Sequence, residues 1–257
     1  MRPGLTRDSR RARGAETAWS RARRPFCLAC VEFPPLRSRP RPAWRERVGW
    51  ERGEYKVAAS EADKAERSPL VILFAEMRGF TGMSDMLDPA IVLARVGEFV
   101  SLISKAVEAH EGAVVDILSD TVMATFTGQD DAQHAVETAQ EIQAGFATLA
   151  EAWHRDFGIR AAVSMGLHCG DAVVGFAKES PTPEQLFVFG DCVSIANRLL
   201  HRARAGEFVL SETLMDLATE MGVAIEAEQL PPLEIPRRDP IKLFGVLVDT
   251  RLDFTHE

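Results

Sequence analysis

Leu70-Val71-Ile72-Leu73-Phe74-Ala75-Glu76-Met77-Arg78-Gly79-Phe80 is the stretch on which the fold turns. Four large aliphatic residues in a row, followed by Phe74, leave no polar alternation. A short run of this kind, spanning Leu70 to Ala75, predicts a strand buried on both faces. Glu76 comes next, then Arg78 and Gly79. A carboxylate at the end of a buried strand, running into a Gly-containing turn, sits where the core meets solvent. Such a place suits a metal ion and phosphates. The same residues also read as a core strand followed by a polar turn.

Working outward, Asp88-Pro89 predicts a helix start, with Asp88 as N-cap and Pro89 in the first turn. Val92, Val96, Phe99, Ile103 and Val107 keep one apolar face to about His110, and Gly112 ends the region. Ala113–Leu118 and Val122–Phe126 read as two strands across the polar turn Ser119-Asp120-Thr121, with Asp120 at its tip. Asp130 or Asp131 caps a second long helix whose face is Ala135, Ala139, Ile142, Phe146, Leu149 and Trp153. Ala161–Leu167 and Ala172–Phe176 are predicted as another hairpin, turning at Cys169-Gly170-Asp171. Phe187–Phe189 is a short strand. Gly190-Asp191 opens a third helix with Val193, Ala196, Leu199 and Leu200 inward. Phe208–Leu210 is a strand, Ser211-Glu212 starts a fourth helix, and Ile241–Val248 is a last strand after a Pro-rich connection at 231–240. The expected layout is a sheet with helices on at least one face, α+β or mixed α/β.

Charge divides the chain. Residues 1–60 carry fifteen of the 30 Lys+Arg and six of the 38 Asp+Glu, a net of +9; the other residues carry 15 against 32, a net of −17. The Arg- and Pro-rich segment 1–60 shows no period of 2 or 3.6 and reads as a disordered tail, with 61–68 a linker and 69–250 the folded domain. Arg-rich segments also serve as transit peptides or nucleic-acid arms. A further reading of the abrupt change is that residues 1–56 are not translated and that Val57 is a GTG start. Intact-mass analysis of native protein tests it. An acidic domain repels phosphate backbones, so nucleic acid is not its expected partner, and bound nucleotides call for metal ions. Cys27 and Cys30 form one Cys-x-x-Cys without a second pair, a weak zinc signal. Cys169 and Cys192 read as small core residues. Nothing suggests a disulfide framework, so a cytoplasmic, reducing location is expected. No apolar run has the length of a membrane helix.

Four motifs, taken in order, resemble the class III adenylate and guanylate cyclases. They are Phe-Ala-Glu-Met-Arg-Gly-Phe-Thr (74–81), Ser-Asp-Thr-Val-Met-Ala (119–124), Gly-Leu-His-Cys-Gly (166–170) and Gly-Asp-Cys-Val-Ser-Ile-Ala-Asn-Arg-Leu (190–199). The resemblance runs from about residue 68 to 248. It implies an α+β, ferredoxin-like (βαββαβ) palm with helices packed on an antiparallel or mixed sheet. It implies head-to-tail homodimers with active sites at the interface, where a nucleoside triphosphate closes to its 3′,5′-cyclic monophosphate with release of pyrophosphate. Two carboxylates hold two Mg²⁺ or Mn²⁺ ions in such sites. By the resemblance, Glu76 and Asp120 are the metal carboxylates. Arg198 is the transition-state Arg, and Phe80 and Thr81 offer backbone N–H groups to phosphate.

Other positions depart from the family pattern. Glu76 stands where the family has Asp, one methylene longer. Asp116 stands where a base-reading Lys belongs, and Phe187 where a second base reader is Asp, Thr or Cys. Ser194 replaces the ribose-orienting Asn. Ile235 falls near a triphosphate-binding Lys, for which Arg237 or Arg238 are substitutes. The resemblance therefore leads to two expectations: a cyclase with weakened activity, ATP favoured, or a pseudo-cyclase acting as a dimerisation or regulatory module. Read without it, Asp120 is a hairpin-turn Asp, Arg198 a solvated helix residue, Phe187 a packing residue and His168 a buried structural histidine.

Overall fold

The computed structural model describes residues 68–176 and 186–247. The readings made for residues 1–67, the Cys27/Cys30 pair and the Val57 start among them, lie outside the described residues, as does Val248. The opening run becomes the central strand β1 (Ser68–Arg78). It is longer than its apolar run, because pairing on both sides carries it through Glu76 and Arg78. β1 lies between β3 (Thr121–Phe126) and β4 (Ala162–Phe176), antiparallel to both. Leu70 through Leu73 are at most 1% exposed, as expected of a strand covered on two faces.

Side-chain alternation along β1 separates two cores. Val71, Leu73, Ala75 and Met77 face a large cluster with the two long helices, α2 (Pro89–Ala109) and α3 (Asp131–Phe157), and with Leu214 of α5 (Glu212–Glu220). Leu70 and Ile72 face Cys192 and Ala196 of α4 (Asp191–Leu200) on the other side. Helices thus cover both faces. A short α1 (Phe80–Met86) follows β1 after Gly79, whose φ of 86° lies in the left-handed region that glycine enters without a Cβ penalty. One helix start has a side-chain cap: the Asp88 side chain accepts from the Ala90 amide at 2.8 Å. At α3 Asp130 occupies the cap position without a side-chain capping bond. Phe146 of α3 meets Phe99 of α2 and Trp153 of α3 edge-on, and Trp153 Nε1 donates to Glu98 Oε2 of α2 at 2.8 Å.

The sheet runs β2 (Ala113–Leu118), β3, β1, β4, β6 (Glu207–Ser211), β8 (Ile241–Leu247), β7 (Glu228–Leu233), with β5 (Leu186–Phe189) paired to β4. Its first part, β1–α2–β2–β3–α3–β4 in the order β2-β3-β1-β4 and antiparallel throughout, is the expected ferredoxin-like palm. β6 joins β4 in parallel.

Two expectations are corrected here. Residues 162–176 are one continuous strand and not a hairpin: β1 pairs with β4 without a break from Arg78↔Ala162 to Ser68↔Ala172. Gly170 is present for packing. A Cβ there lies 3.0 Å from Cys192 Cβ of α4, and one on Gly166 runs into the backbone of Leu200 and Ala196. The connection at 231–240 is also partly regular. Pro231 and Pro232 belong to β7, which an irregularity between Leu230 and Leu233 accommodates.

Candidate active site

The residues that the sequence singles out fall in three groups, one at the end of β1, one on β2 and β5, and one on α4. The first is the carboxylate pair. Glu76 is in register with Thr121, and the amide of the next residue, Met77, donates to the carbonyl of Asp120 at 2.9 Å. Glu76 and Asp120 therefore sit at adjoining strand ends. The hairpin that presents Asp120 turns through Ser119 at φ 56°, a left-handed conformation uncommon for a residue with a Cβ and typical of functional turns. Glu76 Oε2 is buried and accepts no hydrogen bond from a described residue. Its one charged neighbour is Arg78, whose Nη1 lies 2.9 Å away.

A buried carboxylate oxygen held by an ion pair is one that a hard cation can also satisfy, and carboxylates are the donors Mg²⁺ and Mn²⁺ prefer. Among the described residues no group of three or more His, Cys, Asp or Glu converges on such a point. Two protein carboxylates with substrate phosphates and water completing the shell is the usual Mg²⁺ arrangement. The residues fit the group. Phe80 and Thr81 open α1 directly after this strand, where a helix offers its first amides no intrahelical acceptor.

The second group is the base-reading pair. Asp116 is exposed on β2, one residue past the bulge at Val115, and its Oδ1 accepts from the Ile117 amide at 2.9 Å. β2 and β5 approach each other through Val115 and Val188, which share one apolar cluster. Phe187 on β5 is half-buried and lies nearly parallel to the exposed ring of Phe189, centroids 6.3 Å apart. The Phe187 ring is already stacked on its own strand.

The third group lies on α4. Its inner face buries Cys192, Ile195, Ala196, Leu199 and Leu200, and its outer face exposes Asp191, Ser194, Asn197 and Arg198. Ser194 and Arg198, four residues apart, share that outer face. The Arg198 side chain makes no ion pair or hydrogen bond with another described residue, and no described contact joins it to Glu76 or Asp120. Arg238 Nη2 contacts Asp191 Oδ2 at 2.7 Å beside the start of α4, while Ile235 packs into the cluster around Leu199. Arg238, and not Ile235, is therefore the cation near this helix start. Sequence reasoning missed Arg78 and its partner Ser164, because their meeting depends on strand register.

His168 lies on β4 with a partner inside the fold. Its Nδ1 is 2.8 Å from Ser211 Oγ, and burial pushes its pKa down from 6.5 to about 4. Cys169 and Cys192 are free; burial raises both thiols, Cys169 to about 11. Such thiols are poor nucleophiles. Among the described residues no helix is long and apolar enough to cross a membrane.

Residues 63–246 match the family model described as "Adenylate and Guanylate cyclase catalytic domain". An adenylate cyclase of Anabaena cylindrica is 27% identical over 142 residues, covering 54% of this chain and 28% of that protein. Adenylate cyclase 1 of Rhizobium meliloti (strain 1021) is 29% identical over 141 residues, covering 52% of this chain and 21% of that one. The chain thus spans little more than a quarter of the length of these relatives at most. The adenylyl cyclase CyaB from P. aeruginosa superposes with a TM-score of 0.65 at 22% identity, covering 72% of this chain and 97% of that structure; at that identity it speaks for the fold.

Proposed function

Because the chain belongs to the adenylate and guanylate cyclase catalytic domain family, we propose that it closes a nucleoside triphosphate, ATP by preference, to the 3′,5′-cyclic monophosphate and pyrophosphate, at a weakened rate. The observation that carries this reading is the placement of Glu76 opposite Thr121, next to Asp120, whose carbonyl accepts from the Met77 amide. In the proposed reaction the 3′-hydroxyl oxygen bonds to the α-phosphorus, the bond from that phosphorus to the β-phosphate bridging oxygen breaks, and pyrophosphate leaves. The hydroxyl proton passes to solvent. Glu76 and Asp120 would hold divalent ions, which when bound would supply neutralisation of the phosphate charge and a lower pKa for the hydroxyl.

The protein's own groups have separable tasks. Arg198 supplies a fixed cation to the charge developing on the transferring phosphoryl group. Because it stands free on the outer face of α4, it is available to a facing molecule, and the reading assigns it to the site of a second copy in a head-to-tail homodimer. Ser194, on the same face, donates to the ribose, with a shorter reach than an amide. Asp116 accepts from an exocyclic amino group, which adenine has at the six position and guanine does not. Both relatives named above are adenylate cyclases, in keeping with ATP. Phe187 contributes a stacking surface only, so base selection is poor. The amides of Phe80 and Thr81 meet phosphate.

A second reading is favoured by one observation. Both base-reading side chains are already engaged within the protomer, Asp116 by the Ile117 amide and Phe187 by Phe189. On that reading the domain is a pseudo-cyclase that acts by dimerising or by regulating a partner. The test is incubation of purified protein with each triphosphate and Mn²⁺ or Mg²⁺, followed by mass spectrometry. Cyclic product that disappears in Asp120→Ala supports the enzyme. No product, together with no thermal shift from any triphosphate, supports the pseudo-cyclase.

A further inference from the structure

Arg78 has no place in the ligand set just described, yet it is the best-anchored side chain beside it. Its Nε donates to Ser164 Oγ at 2.9 Å, and its Nη2 reaches the carbonyl oxygens of Leu200 and Ala203, each at 3.4 Å. Ser164 is itself fully buried and donates to the Arg204 carbonyl at 2.9 Å. Three acceptors on β4 and past the end of α4 therefore fix the guanidinium before it meets Glu76. Its fourth contact is Nη1 to Glu76 Oε2, at 2.9 Å, with both side chains largely shielded from water. A guanidinium is a rigid fork that stays charged at any pH proteins experience.

We propose that Arg78 is a built-in counter-ion that competes with the divalent cation for Glu76 and so lowers the resting affinity of the metal site. The inference rests on the cyclase reading of Glu76 and Asp120. A dication joining this carboxylate sits beside a monocation that the neighbouring carbonyls hold in place, and the two repel. The length of Glu76 matters to the pairing. An aspartate is shorter by one C–C bond, roughly 1.5 Å, and withdraws the carboxylate from Arg78. Without Arg78 the buried oxygen has no compensating charge, and its demand for a cation rises. The Glu at this position and the anchored Arg thus form one device.

The experiment measures Mn²⁺ binding to the full chain by electron paramagnetic resonance of the free ion, without nucleotide. Arg78→Met removes the charge and keeps the stem; Glu76→Asp breaks the same pair from the other end. Each is expected to tighten Mn²⁺ binding about 10-fold, the order set by losing one fixed cation at close range. The double variant gains little over either single one, since both remove the same contact. Circular dichroism melting checks the fold, and if Arg78→Met does not fold, Glu76→Asp alone decides. Binding that is lost in Asp120→Asn but not tightened by either pair-breaking variant overturns the counter-ion and leaves the site standing. Absence of Mn²⁺ binding in every form overturns both.

Discussion

The inner face of α4 presses Ala196 and Leu200 so close to the sheet that a Cβ on Gly166 meets their backbone, whereas four residues on the outer face of the same helix stand in solvent. One face is fixed by shape. On the other, Asp191 meets Arg238, while Ser194 and Arg198 make no hydrogen bond or ion pair with another described residue. A chain can therefore keep the frame to within a methyl group while Ser194, Asp116 and Phe187 drift from a pattern.

The comparison breaks most easily at the inner face. Gly166→Ala is expected to cost ~3 kcal/mol or more, because the atoms met are helix backbone and cannot step aside. Urea unfolding measures it, and a loss under ~0.5 kcal/mol means the seam is looser than described. On the outer face the expected effect is the reverse in kind. Arg198→Ala leaves stability within ~0.5 kcal/mol and lowers cyclic product ~10²–10³-fold, the usual cost of one transition-state donor. Asp116→Lys together with Phe187→Asp restores a base-reading pair and is expected to raise the adenylate cyclase rate about 10-fold, the value of one charged hydrogen bond; an unchanged rate places the limit elsewhere in the frame.

A smaller effect belongs to His168. Its folded pKa of about 4 lies below the ordinary 6.5, so the unfolded chain takes up a proton that the folded one refuses. Stability is complete above pH 6.5 and is lost as pH falls toward 4, by at most ~1.4 kcal/mol per pH unit. Melting of wild type and His168→Asn between pH 7.5 and 5 measures the difference, and parallel curves reject the assignment.

Much of this was legible in the sequence, for reasons that differ by element. β1 declared itself because an unbroken apolar run has few other uses, and α2 because Asp88-Pro89 is a local signal that needs no tertiary context. Glycine was the ambiguous letter. Gly170 has the same appearance in a turn as under a helix, and only the register of β4 against β1 shows which it is. α1 was missed because seven residues carry too little periodicity to announce a helix. Glu76 and Asp120 were placed together by motif order. The setting of Glu76 was not readable, since Ser164 is 86 residues from Arg78, and Leu200 and Ala203 are 122 and 125 away.

The two outer borders of the sheet differ in what they offer to a neighbour. β7, at one border, carries Pro231 and Pro232, which have no N–H to donate, so an incoming extended segment finds gaps in the ladder there. The border at β2 has no proline and ends in the exposed side chains of Ile117 and Leu118. Growth of the sheet by open-ended stacking of molecules is thereby capped on one side.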